Sequence, residues 1–420
     1  PKPSQNPNHE EKSREMASAP ALRRLSTATA AAISISKAKS KLRSEFDPDK
    51  ALKILTSAFP SDTSSPSSSR YAQDVTVRRL AKSGRFSDIE SLVEAHKADP
   101  RIKEEAFLCT LIRSYGLAGM FDHALRTYHQ MDRFGTPRSA LSLNALLIAC
   151  NQTKNYARVP ELFREMREKF GVSPDEVSYG ALVKSYCSLG EVDKAVETIG
   201  EMEKGGLRVG TVTFSTLLSC LYKLGRVEEA ESLWVEMVAK GVELDVVAYN
   251  VRLMHAQDIG DVKRVNELIV EMEVSGLKPD TVSYNYAMNC YCKCGMMKEA
   301  ERVYEGLERW GCNPNAMTFR TLISYLCKDG DFEAAYKVFK KSVENHKMPG
   351  FDLLEQLVRG LVAKNRIKEA KGLIRTAKKR LSPSSLKAWE VVVNSLPLRS
   401  ANGVASGVLE DDADDKDATI

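Results

Sequence analysis

A spacing of 35 residues organises this chain. Tyr179, Phe214, Tyr249, Tyr284 and Phe319 fall at that interval, and so do Gly190, Gly225, Gly260, Gly295 and Gly330. Gly206, Gly241, Gly276 and Gly311 form a third series in the same register. A period of this length marks one supersecondary unit that must stack on its neighbours to bury its apolar faces. Nine units follow: 70–104, 105–139, 140–175 (one residue longer), 176–210, 211–245, 246–280, 281–315, 316–350 and 351–385. The first and last are the most degenerate. Residues 44–69 hold a partial unit (Asp47–Ala58) and a Ser-rich linker, and residues 386–400 read as a C-terminal capping helix.

Within a unit the apolar spacing is helical. Phe214, Leu217, Leu218 and Leu221 stand at i, i+3, i+4 and i+7, as do Tyr179, Leu182, Val183 and Tyr186. Gly190 and Gly225 then stand where a left-handed residue would close the first helix. Val227, Ala230, Leu233, Trp234 and Met237 mark one face of a second helix, and Pro174, Pro279, Pro314 and Pro349 follow second helices that they cannot extend. Ala195, Ala230, Ala300 and Ala335 recur where the two helices must cross closely. Each unit is therefore read as a helical hairpin, and the whole as an all-α solenoid with one continuous core.

Composition narrows the class further. With 420 residues, 43% hydrophobic and 28% charged, the chain is neither collagen-like, wholly disordered nor a disulfide scaffold. The formal net charge is +5 and unevenly placed: residues 1–43 hold nine basic and three acidic groups, residues 401–420 one basic and six acidic. No stretch approaches the ~18 apolar residues of a membrane helix. Residues 16–43 carry Arg23, Arg24, Lys37, Lys39, Lys41 and Arg43 among Ala, Ser and Thr without an acid, the composition of an organellar transit peptide. Met16 is read as the start and residues 1–15 as an upstream extension. Arg23–Thr27 favours a mitochondrial address, with the chloroplast as the alternative. Residues 401–420 are expected to be a disordered, solvated acidic tail. Nine cysteines at irregular intervals suggest free thiols in a reducing compartment.

The segments TVSYNYAMNCYCKCG (281–295) and AMTFRTLISYLCKDG (316–330) carry a more specific signal. A unit reading Val-x-Tyr-Asn-x-Leu-Ile, then Cys-Lys-x-Gly, Ala, Met, Gly and Pro-Asp resembles the pentatricopeptide repeat (PPR), over about residues 70–385. Uniform 35-residue spacing is similar to the P-class of plant organelles. The 34-residue tetratricopeptide repeat, the nearest rival, lacks its Trp-x-x-Leu-Gly-x-x-Tyr pattern here. The resemblance implies a right-handed α-solenoid in which the fifth and last residues of a repeat read one RNA base, while apolar second residues of adjacent repeats sandwich it. A short polar side chain fixed on a helix can hydrogen-bond a splayed-out base edge.

Carried over position by position, the resemblance implies base-reading pairs Asn144 with Asp175, Ser215 with Asp245, Asn250 with Asp280, and Asn285 with Asn315. They would favour uridine, guanine, uridine and a pyrimidine in turn. Val212, Val247 and Val282 would be the sandwiching residues. Gly180 with Gly210, Arg320 with Gly350, Glu355 with Ser385, Cys109 with Ser139, and Asp74 with Glu104 match no such pair. Helix capping is the competing account of Asp175, Asp245, Asp280 and Asn315, since each precedes a helix and a good N-cap is worth ~1 kcal/mol. It does not cover Asn144, Asn250 and Asn285, which lie inside first turns where Asn competes with the backbone, so a partner outside the helix is expected. Lys82, Lys223, Lys293 and Lys328 share the thirteenth place, a phosphate-contacting position by resemblance, though a Lys at a helix C-terminus is also favoured by the dipole.

No enzyme chemistry is legible. Cys290 and Cys294 share a helix face, but Cys292 points elsewhere and no His completes a zinc spacing. No His-x-Glu with Cys-x-x-Cys and no phosphate loop occurs. No cofactor, metal, membrane or small-molecule substrate is expected. The expected partner is single-stranded or ribosomal RNA, with mitochondrial ribosomal proteins as further neighbours. The block FGTPRSALSLNALLIACN (134–151) resembles PPR proteins built into the mitochondrial small ribosomal subunit. The alternatives are a transcript-specific adaptor acting on messenger stability, processing or translation initiation, and a protein-binding scaffold without RNA.

Overall fold

The computed structural model describes residues 33–58, 66–381 and 383–398. Most of the expected import segment (up to residue 32), part of the Ser-rich linker and the acidic tail lie outside them. The described residues are all-α, and no helix among them is long and apolar enough to cross a membrane. The chain divides into two compact units, residues 1–244 and 245–420.

In the first unit the helices Pro66–Lys82, Glu105–Leu117, Ala140–Gln152, Glu176–Leu189 and Thr211–Lys223 pack side by side in sequence order. Each carries its own second helix, such as Val192–Lys204 behind Glu176–Leu189. The second unit repeats the plan with Val246–Ile259, Thr281–Lys293, Ala316–Asp329 and Phe351–Ala363. There the helix Pro383–Asn394 packs on Phe351–Ala363 in the place of a next first helix. Ala195, Ala230, Ala300 and Ala335 are fully buried, as close crossing of the hairpin's helices requires. A core cluster runs from Leu42 to Leu182 in the first unit, and others join Tyr284 to Leu322 and Phe319 to Val392 in the second. Both units are therefore solenoids of stacked hairpins.

One element sits where the sequence suggested an import segment. Ile35–Ser44 is a helix whose Ala38 and Leu42 are fully buried, and it packs on Pro48–Ala58 and Pro66–Lys82. The Lys- and Ser-rich pattern up to residue 43 thus ends in a hairpin docked on the array. Arg85 ties this hairpin down, pairing with Asp49 as well as Asp88. Arg226 and Arg366 stand in matching register. Arg226 holds Asp193 of the preceding repeat (2.8 Å) and Glu229 (2.5 Å), and Arg366 holds Glu333 (2.5 Å) and Glu369 (2.7 Å).

Left-handed backbone recurs where the glycine series places it, at φ +78° for Gly190 and +74° for Gly206. Three repeats keep the conformation without glycine: Lys154 (φ 62°), Asn365 (φ 57°) and His346 (φ 56°). A side chain there costs about 1–2 kcal/mol, against roughly 0.5–1 kcal/mol for glycine's added unfolded-state entropy. Lys154→Gly is therefore expected to raise stability by about 0.5–1 kcal/mol, read as a higher denaturation midpoint at unchanged m-value.

Candidate nucleic-acid interface

From the third repeat to the eighth, the first helices expose an apolar side chain at the second place, whereas the last repeat has Asp352 there. Leu141, Val177 and Val212 do so in the first unit, and Val247, Val282 and Met317 in the second. Val212 is 77% exposed and Val247 58%. Sequence reasoning singled out Val212, Val247 and Val282 and passed over Leu141, Val177 and Met317, although the same count from each unit boundary reaches them.

Three positions on, the Asn residues are tied into a recurring network. Asn144 Nδ2 donates to Asp175 at 2.9 and 3.0 Å, and Asn144 Oδ1 accepts from Ser178 Oγ at 2.5 Å. Asn250 Nδ2 donates to Asp280 (3.2 Å) and its Oδ1 accepts from Ser283 Oγ (2.7 Å). Asn285 Nδ2 donates to Asn315 Oδ1 (3.1 Å) and its Oδ1 accepts from Thr318 Oγ1 (2.7 Å). Asp175, Asp280 and Asn315 meanwhile cap the next first helix, each within a full capping box. The external partner expected for these Asn residues is thus the N-cap of the following repeat. Capping and the Asn register belong to one network, and the structure corrects the view that they are separate explanations.

The third member, Ser178, Ser283 or Thr318, was missed, yet the sequence holds its signal. Ser or Thr stands at the third place of the unit after each fifth-place Asn, whereas Ala248 follows Ser215 and Leu353 follows Arg320. Ser215 has its hydroxyl buried without a hydrogen-bond partner among the described residues. Asp245 caps its helix through Ala248 N. Where glycine replaces Asn at position 180, a Cβ would lie 3.0 Å from Thr213 Oγ1.

Burial works to raise the Asp175 pKa. The Ser178 amide, the Asn144 and Ser178 side chains and the Val177 amide together outweigh it and hold the carboxylate below its ordinary value. The network's contribution is then complete above the unfolded pKa of about 3.9 and is lost as pH falls through the lower folded value. Asp175→Asn keeps a capping acceptor and is expected to flatten this part of the acid-stability profile, measured by thermal melting across pH 2–6.

Lys82, Lys223, Lys293 and Lys328 are all exposed at the C-terminal ends of first helices. Lys293 Nζ donates to the carbonyls of Gln257 (3.3 Å) and Asp258 (3.2 Å), and Lys328 Nζ lies 4.8 Å above the Tyr325 ring. Both remain at the water boundary. Cys290 and Cys292 are buried and Cys294 exposed, and burial pushes the Cys292 and Cys327 thiols up to about 12. Among the described residues no three His, Cys, Asp or Glu side chains converge on a metal-sized site.

A helical-hairpin repeat protein with an apolar ladder and a polar, inter-repeat network on its first helices is the class this geometry defines. Models of the PPR repeat family match residues 174–223, 209–256 and 279–328, that of the pentatricopeptide repeat domain matches 126–188, and that of the PPR repeat matches 108–136 and 317–346. The chain is 55% identical over 362 residues to small ribosomal subunit protein mL103 (rPPR7) of Arabidopsis thaliana, covering 86% of this chain and 87% of that protein. It is 38% identical over 133 residues to small ribosomal subunit protein mS79 (rPPR3b) of the same plant, 32% of this chain and 34% of the relative. The crystal structure of PPR10 from maize aligns with 85% of this chain and 59% of its own, at 19% identity and TM-score 0.46. The chain belongs to the pentatricopeptide repeat family.

Proposed function

We propose that this protein is an RNA-binding, non-enzymatic component of the mitochondrial small ribosomal subunit. The observation that carries the RNA reading is the pairing of an exposed aliphatic side chain with a fixed Asn network on three first helices: Leu141 with Asn144, Val247 with Asn250, and Val282 with Asn285. Likeness to a small ribosomal subunit protein along nearly the whole of both chains supports the assembly, and a 50% identical mitochondrial relative over 197 residues supports the compartment.

The network suits base reading because it leaves hydrogen-bonding capacity over. An Asn amide carries two N–H groups, and its partner's oxygens have further lone pairs. In the Asn250–Asp280 pair, one amide hydrogen and Asp280 Oδ2 stay uncommitted within the network. A donor beside an acceptor complements the N3–H and a carbonyl of uracil. The inter-repeat bonds hold both groups in place before RNA arrives, so less ordering entropy is lost on binding. Val247 and Val282 would flank the base, and Lys82, Lys223, Lys293 and Lys328 would meet phosphates.

Fluorescence titration of the full chain with a single-stranded uridine-rich RNA at several salt concentrations tests this reading. Four phosphate contacts predict that log affinity falls with log salt at a slope of about −3. A flat salt dependence, or equal binding of a polyanion without bases, would overturn it.

A further inference from the structure

The last repeat presents a second basic surface that the base-reading face does not use. Its second helix, Ile367–Arg380, reads IKEAKGLIRTAKKR. Ala370, Leu373 and Ala377 are fully buried. At 3.6 residues per turn, Lys368, Lys371, Arg375, Lys378 and Lys379 fall within an arc of about 100° centred opposite them. All five are exposed. The helix's one acid, Glu369, lies off this arc and is taken by Arg366, which also holds Glu333 of the preceding repeat. No ion pair is seen for the five stripe cations among the described residues.

We infer that this stripe is a docking site for the sugar-phosphate backbone of duplex RNA, read without regard to sequence. The inference rests on the RNA-binding reading above and adds a second contact to it. Three features favour a line of phosphates over an acidic protein. The stripe offers charge without an exposed aromatic or aliphatic side chain on the same arc, whereas protein interfaces bury an apolar core and are depleted in Lys. Its charges lie along one rigid helix, so a regular row of anions meets several at once and releases their counterions. Paired bases offer no edge to the Asn network, so a duplex engages the protein through its backbone.

The test compares the full chain with a variant carrying Lys368→Gln, Lys371→Gln, Arg375→Gln, Lys378→Gln and Lys379→Gln, and with one in which the four lysines become Arg. The probes are a blunt 20-base-pair RNA duplex of arbitrary sequence and a single-stranded uridine-rich RNA, read by anisotropy from 50 to 200 mM salt. The Gln variant, at unchanged helicity by circular dichroism, is expected to bind duplex at least tenfold more weakly with a salt slope shallower by about 3–4. Its single-strand affinity should move less than threefold, and the Arg variant should bind like the parent. Unchanged duplex affinity in the Gln variant overturns the inference. So does displacement of duplex by polyglutamate at equal charge, which marks an acidic protein as the occupant. Failure of the earlier reading looks different: single-strand binding is then absent in every protein while duplex binding still follows the stripe.

Discussion

Replacing Asn250 and Asn285 together by Ala is expected to weaken binding of single-stranded RNA by roughly 30-fold or more. A direct base contact is worth about 1–3 kcal/mol, and 1.4 kcal/mol is a factor of ten, so two contacts at the low end already reach that size. The same change strips Ser283 and Thr318 of their inter-repeat acceptor. Each lost hydrogen bond costs about 0.5–1.5 kcal/mol of stability, so the array should melt somewhat earlier while remaining folded at 25 °C. Ser283→Ala separates the two roles: it removes the bond to Asn250 and keeps the amide. Its melting point should fall at least as far as that of Asn250→Ala, since the change also opens the Asp280 capping box, with much less loss of RNA affinity. Equal affinity losses would assign the network to holding repeats together and take base reading away from Asn250.

Trp389→Ala is the change expected to cost most in stability. Trp389 is 1% exposed, meets the Phe351 ring edge-on at 5.9 Å and anchors the helix that closes the array. Emptying such a site costs about 3–5 kcal/mol. In an array where each hairpin touches only its neighbours, the loss is felt first next door. Hydrogen exchange should therefore speed up over Phe351–Arg380 before Thr281–Lys293. The indole Nε1 has no hydrogen-bond partner among the described residues, so Trp389→Phe should cost markedly less. A uniform loss of protection across 246–380 would contradict nearest-neighbour coupling.

The hairpin plan was legible because period and apolar spacing are local facts: a Leu four residues from a Phe shares its face whatever the rest of the chain does. The left-handed sites were legible at glycine but hidden at Lys154, His346 and Asn365, where packing of the repeat imposes a backbone that these residues disfavour. The fifth-place Asn residues were found by register and half understood. Their partners lie about 30 residues away, and spacing alone does not say that Asp280 can cap one helix while receiving Asn250 from another. The docking of Ile35–Ser44 on its neighbours was hidden for a related reason. An amphipathic basic helix looks the same whether it serves import or docks on Leu80, and only tertiary contact distinguishes them. The salt links of Arg226 and Arg366 likewise depend on which repeats become neighbours.

Sedimentation of mitochondrial lysate, following this protein through a gradient before and after RNase treatment, tests the central claim most directly. The account predicts comigration with the small ribosomal subunit, a shift when magnesium is chelated, and release to light fractions once RNA is digested. Comigration with a messenger away from the subunit would contradict the ribosomal assignment, and migration unchanged by RNase would contradict RNA binding itself.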